Sequence, residues 1–293
     1  MAQVGLARQR LGRVVPTLVL VVAAVFFIAP LISMARFALQ NVQVFQLGTS
    51  NLFKKWSFSE VTRAFHEPAF GSTLLLSLRL ALGTVLLTLG LLIPTALLVH
   101  VKLPKARAAV EFFTLLPYMV PPIALVAGVI GFIRPNARWF VSSNYSLIPF
   151  YVVLALPFTY RSIDAGIRAI DVRTLIDASR SLGAGWGTTL WRALLPNLRS
   201  AIISSSFLTA TVVLGEFTMA QVLLKRTFPQ FLAEFGRKEA RGGIALALLT
   251  LVATTALLGL LTLLTRRKGA AGQRGGLAET LTAGPITVGA GRT

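Results

Sequence analysis

Residues 161–200 read RSIDAGIRAIDVRTLIDASRSLGAGWGTTLWRALLPNLRS, a connecting stretch too long and too patterned to be a simple loop. Asp171 is placed to cap a helix by accepting backbone N–H bonds. Leu175, Ile176, Ser179 and Leu182 then fall on one face at helical spacing, with Arg173, Asp177 and Arg180 turned away from it. Gly183 stands where a left-handed residue would end that helix, and Gly185 and Gly187 let the chain turn sharply. Residues 188–194 predict a second helical piece. Pro196 follows at a position suited to start a new helix, where its missing N–H would be unpaired anyway. Helix, glycine elbow, helix and proline-started segment together make a lever able to transmit force. The plainer alternative is a pair of amphipathic helices lying at a lipid interface.

Working outward, the chain on either side of this stretch is written for a bilayer. Of 293 residues 55% are hydrophobic and 13% charged, with a mean hydropathy of +0.73, against roughly 25% charged in ordinary soluble domains. Six stretches approach or exceed the ~20 apolar residues that cross a membrane: 14–34, 72–99, 109–133, 147–160, 198–223 and 243–264. The fourth is short and interrupted by Pro149 and Pro157, so it is expected to borrow residues 162–167. Pro94, Pro117, Pro121 and Pro122 mark kinked or interrupted helices elsewhere. The expected fold is all-α, a polytopic membrane bundle of about six helices with a cytoplasmic coupling-helix loop over 161–197. An N-terminal segment, 1–13, precedes the membrane domain of 14–268. A Gly-, Ala- and Thr-rich tail, 269–293, reads as disordered.

Lysine and arginine near the span ends orient the bundle. Arg8, Arg10 and Arg13 precede the first span, Lys102, Lys105 and Arg107 follow the second, and Arg266, Arg267 and Lys268 end the last. With the arginines of the long loop, these place both termini and the loop in the cytoplasm. The opposite side still carries Lys54, Lys55, Arg63, Arg134, Arg138, Lys225, Arg226, Arg237, Lys238 and Arg241. The first span has basic residues before it and Ser33-Met34-Ala35 near its end, but its apolar run exceeds the core of a signal peptide, so it reads as uncleaved.

The net charge of +19 is scattered through many connections, not gathered into one stripe, which argues against nucleic acid as a partner. The absence of cysteine excludes disulfides and thiolate metal sites. His66 and His100 fall in separate predicted loops and read as solvated or capping residues.

The loop resembles that of ABC importer permeases, whose motif runs Glu-Ala-Ala, three residues, Gly, nine residues, an aliphatic residue, one more, then Leu-Pro. Here Asp177-Ala178-Ser179 is followed at the required spacing by Gly183, Ala193, Leu195 and Pro196. Asp177, Ser179 and Ala193 depart from the pattern in detail. The resemblance implies a permease subunit of the bacterial inner membrane that forms the path for a small solute and docks on ATP-binding cassette subunits. It also implies a second permease subunit, as a heterodimer, and an extracytoplasmic solute-binding protein. ATP and Mg would be bound by the partner ATPase, since this chain has no phosphate-cradling G-x-x-x-x-G-K-[ST] loop and is not itself an enzyme. Residues 115–122, LLPYMVPP, and 214–217, LGEF, look most like the group handling polyamines, ferric iron, thiamine, sulfate or molybdate, with spermidine and putrescine favoured.

Two ionisable residues lie within the predicted spans, where such groups are costly and face the protein interior or a water-filled path. Arg79 and Glu216 are both about 10 Å from the outer surface by helix rise. They are expected either to line the translocation path together, as a pair, or to snorkel separately. An ion-driven secondary transporter is the alternative function, but no inverted internal repeat supports it.

Overall fold

The computed structural model describes residues 2–40, 56–133, 135, 137–256 and 259, with side chains from 16 onward. Arg266, Arg267, Lys268 and the tail 269–293 lie outside the described residues, as do Lys54, Lys55 and Arg134. Among the described residues there is no strand, only a single bridge between Gln40 and Trp56. The helices are α1 (Ala2–Leu39), α2 (Ser59–His66), α3 (Pro68–Val101), α4 (Arg107–Met119), α5 (Pro122–Ile133), α6 (Arg138–Ser142) and α7 (Leu147–Arg168). They continue with α8 (Val172–Ser181), α9 (Trp186–Thr188), α10 (Leu195–Asn197), α11 (Arg199–Gly215), α12 (Thr218–Val222), α13 (Phe228–Lys238) and α14 (Ala240–Ala256). A compact unit runs from Met1 to Leu246, and residues 247–293 form a second.

The expected spans take several forms, and the sixth runs partly beyond the described residues. Among the described residues three helical stretches are long and apolar enough to cross a bilayer singly: Pro16–Leu39, Pro68–Val101 and Asn144–Arg168. Two further candidates are bent pairs, and α14 is a shorter apolar helix over part of the expected sixth span. In the first pair, α4 and α5 meet at 90°. Val120 there is extended, at φ −85° and ψ 127°, because the ring of Pro121 disfavours helical geometry in the residue before it. In the second, residues 186–197 and α11 meet at 75°.

The fourth stretch is stronger than its sequence suggests. Pro149 sits in the first turn of α7, where no N–H is required, and the helix continues unbroken through Pro157 to Arg168. Likewise α3 continues past Pro94. No residue in the most apolar window of α1 is buried, as suits a helix whose surroundings are hydrocarbon.

At the centre, α7 packs against α3, α4 and α11. The contact faces are made of small and hydroxyl residues, which let backbones approach closely. Thr73, Ser77, Thr84 and Thr88 are buried along α3, and the Thr159 and Thr209 hydroxyls of α7 and α11 lie 2.7 Å apart. A Cβ at Gly166 of α7 would collide with the Cβ of Ala201 on α11. Hydroxyls that bond back to carbonyls in their own helix, as Thr159 does to Ala155 and Thr88 to Thr84, remain satisfied without water.

Candidate functional site

The patterned loop lies beyond the shared end of α3, α7 and α11, called here the loop end. Asp171 caps α8 as its sequence predicts: its Oδ1 accepts the Thr174 N–H at 3.2 Å and its Oδ2 accepts the Thr174 hydroxyl at 2.7 Å. These bonds, the hydroxyl first, hold the Asp171 carboxyl below the usual carboxylate range. At the other end Gly183 takes φ +79°. Its N–H donates to Arg180 O at 2.9 Å, and the Ala184 N–H donates to Ser179 O at 3.0 Å. This is the two-bond Schellman closure, which satisfies carbonyls that a helix end otherwise leaves open.

Val172 and Ile176 bury one face of α8 in a cluster with Leu92, Leu97, Ile163 and Leu194, with Leu175 packed against it. Leu182 corrects the expected stripe. It is 88% exposed, at the cap position where α8 ends, φ −84° and ψ 8°. Asp177 and Ala178 are exposed and Ser179 is half-buried, its hydroxyl donating to Leu175 O. Thus α8 presents one face to the bundle and another, bearing Asp177, Ala178 and the projecting Leu182, to the outside.

Across the elbow, the Arg180 guanidinium lies 4.6 Å from the Trp186 ring centre, and Lys102 from the end of α3 approaches the same ring at 6.0 Å. Such cation–π contacts brace the turn. The helix then runs through α9, a π-helical stretch from Thr189 to Leu194, and α10. Pro196 therefore lies inside a continuing helix, and the new helix starts after the bend at Leu198, not at the proline. Pro196 supplies no N–H and its ring crowds the carbonyl four residues back, and the wider π turn just before it relieves that crowding. Leu194 and Leu198 are buried, Leu195 is half-buried and Pro196 exposed.

A charge cluster underlies the loop. Asp164 of α7 is 3% exposed and receives Arg107 through two parallel bonds, Nε to Oδ1 at 2.9 Å and Nη2 to Oδ2 at 2.8 Å. The His100 Nε2 lies 2.7 Å from Oδ1, and Arg168 approaches Oδ2 at 2.6 Å. Nearby, Arg161 and Glu111 pair at 3.4 Å. Asp164 ties α3, α4 and α7 together just before α7 hands over to the lever. His100 is thus an ion-cluster member inside α3 and not a solvated loop residue, while His66 ends α2 with its Nδ1 2.7 Å from Thr62 O. The sequence signal was present: a carboxylate flanked by Ile163 and Ile167 at membrane depth. It lies in the stretch 162–167 that the fourth span was expected to borrow, yet only Arg79 and Glu216 were singled out as span charges.

At the opposite end of the bundle, Glu216 and Arg79 do not pair. Both Glu216 carboxylate oxygens accept the Met219 N–H, at 2.9 and 3.0 Å, so the acid serves the N–H groups that the start of α12 leaves without an intrahelical partner. Arg79 is exposed on α3 and lines a cavity of about 540 Å³. Among the described residues no group of three or more His, Cys, Asp or Glu is placed to hold a metal ion.

The model of the family described as binding-protein-dependent transport system inner membrane component matches residues 93–269, more than half of the chain. The chain belongs to that family. This inner membrane component is 27% identical over 113 residues to the methionine import system permease protein MetP of Bacillus subtilis, covering 39% of this chain and 48% of that one. It is 32% identical over 110 residues to the Fe(3+)-transport system permease protein FbpB 2 of Haemophilus influenzae, covering 38% and 22%. To the molybdenum transport system permease protein ModB of Mycobacterium tuberculosis it is 28% identical over 160 residues, covering 51% and 60%. The chain therefore spans less than two thirds of each of these relatives. In fold, the inner membrane component matches a chain of a bacterial ABC transporter involved in import of the acidic polysaccharide alginate, with TM-score 0.65 and 16% identity over 89% of this chain and 97% of that one. The family match takes in α8, the glycine elbow, Asp164 and Glu216, whereas Arg79 lies upstream of it.

Proposed function

We propose that the chain is the permease subunit of an ABC importer, with its spans forming the path of a small solute and α8 docking on a separate ATPase subunit. The observation that carries the reading is the Schellman-closed α8, anchored inside by Val172 and Ile176 and offering Asp177, Ala178 and an almost fully exposed Leu182 outside. A large apolar side chain that projects fully from a capped, braced helix is a docking element, because leaving it in water wastes its burial energy. Motion of the docked α8 passes through the braced elbow and the π-helical lever into α11, and through the Asp164 cluster into α3 and α4. ATP and Mg belong to the partner. A second permease subunit, an extracytoplasmic solute-binding protein and the cytoplasmic placement of both termini complete the proposed assembly.

Glu216, a span acid that a cationic solute could use, has both carboxylate oxygens engaged by the Met219 N–H, so its charge gives the polyamine reading no added support. The test of the coupling reading is co-purification with the ATPase subunit encoded alongside this chain. Leu182→Arg should leave the chain folded and inserted but abolish both co-purification and solute-stimulated ATP hydrolysis. Normal ATPase recovery with Leu182→Arg would remove α8 as the docking element.

A further inference from the structure

We propose that the cavity at the end of the bundle opposite the loop binds an anionic solute, an oxyanion or carboxylate, through Arg79 and Arg226. The proposal rests on the reading of the chain as an importer permease and names the charge class of what it passes.

The cavity, about 540 Å³, lies between the first turns of α3, the turn from α6 into α7, and the segment after α12. It has two guanidinium groups and no carboxylate in its lining. Arg79 is exposed and lines the open space, with no hydrogen bond or ion pair to another described residue. Arg226 is held by Glu234, Nε at 3.1 Å and Nη2 at 2.9 Å to one carboxylate oxygen, which leaves its Nη1 free for a ligand. Asn144 and Tyr145 add an amide and a phenol at the opposite wall. Planar guanidinium forks matched to oxygen acceptors are the usual means of recognising carboxylates and oxyanions.

The walls are fastened to one another. The Lys225 ammonium, 8% exposed, donates to the Ser142 carbonyl at 2.7 Å, joining the Arg226 segment to the turn that carries Asn144 and Tyr145. The Phe228 N–H donates to the Ser77 hydroxyl at 2.8 Å, joining the same segment to the helix that carries Arg79. Between α12 and Lys225, Leu224 adopts φ +53°, the strained backbone that lets Lys225 turn inward while Arg226 turns to the cavity. Strain held by surrounding bonds is characteristic of binding sites. A smaller hollow of about 150 Å³ beside it mixes Glu67, Glu234 and Glu239 with Arg226 and Lys238. Its charges nearly balance, so it does not compete as a site for a small ion.

The absence of native cysteine makes the test direct. Ser72 lines the cavity and its hydroxyl is committed to Ala69 O, so Ser72→Cys is a reporter that removes no proposed ligand; Leu75→Cys, at an apolar lining position, is a second reporter. In right-side-out vesicles containing the full chain, an anionic methanethiosulfonate should react with the cysteine roughly tenfold faster than a cationic one of similar size. Molybdate, sulfate or phosphate should slow that reaction saturably, and spermidine should not. Both effects should disappear with Arg79→Gln and return with Arg79→Lys. Absence of the anionic preference, protection by spermidine, or a preference that none of the three anions relieves would overturn the proposal; the last would mark instead a rim that receives an acidic protein surface. Failure of the importer reading is seen separately, as loss of ATPase co-purification from an unmutated chain.

Discussion

Asp164 and Arg107, 57 residues apart in the chain, meet in a two-bond ion pair at the loop end of the bundle. The Asp164 side chain is 4% exposed and Arg107 32%, and His100 and Arg168 complete the cluster. Removing the acid strands the partly buried Arg107 guanidinium and takes the hydrogen-bond partner from His100, whereas removing Arg168, 54% exposed, leaves Asp164 still paired. Asp164→Ala should therefore destabilise the detergent-solubilised chain by about 3–5 kcal/mol, and Arg168→Ala by less than about 1 kcal/mol. Thermal unfolding of the two variants checks the order; equal losses would mean the cluster is not organised around Asp164.

Gly183 separates backbone cost from docking cost. No atom lies within 4 Å of where its Cβ would be, so Gly183→Ala should cost only the left-handed backbone, about 1–2 kcal/mol, and keep some transport. Gly183→Asp adds a charge to the docking face and should abolish transport while the chain remains inserted. Transport and insertion assays on both variants make the comparison, and wild-type transport by Gly183→Asp would contradict the docking role.

The cap at Asp171 predicts an acid-sensitive start to α8. Its folded carboxyl is held below the unfolded value by Thr174, so the cap contributes stability above the unfolded pKa and loses it as pH falls through the folded one. Limited proteolysis between α7 and α8 should accelerate on acidification in that window. Asp171→Asn, which keeps an acceptor without titrating there, should flatten the dependence.

Topology is open to direct labelling because the chain has no cysteine. Ser181 and Ser142 are both exposed and lie at opposite ends of α7 and its extensions. Ser181→Cys and Ser142→Cys should react with an impermeant thiol reagent from opposite faces of the membrane. Labelling of both from one face would refute the orientation.

Arg79 and Glu216 share no partner, so Arg79→Leu and Glu216→Leu should act additively on complex stability, within about 0.5 kcal/mol. A larger interaction energy in the double-mutant cycle would restore the pairing that their similar depth suggested.

The sequence by itself determined what depends on local chemistry: a bilayer solvent from the apolar stretches, the cap at Asp171, the left-handed closure at Gly183, and the lever that follows. Each is decided by residues within a few positions of one another, where hydrogen-bond reach and backbone sterics act. The motif spacing from Asp177 to Pro196 likewise led to the family. Tertiary structure alone decided which polar groups meet. Depth along a helix gives height but not azimuth, so Arg79 and Glu216 could share a level and still face different partners. Asp164 found His100 and Arg107 only because α3, α4 and α7 converge, and Leu182, at the cap that ends α8, was left outside the buried stripe. The two bends were decided differently: Pro121 broke the first ladder locally, while the second, at Leu198, follows the helix that carries Pro196 and is set at 75° by packing of the segments on either side.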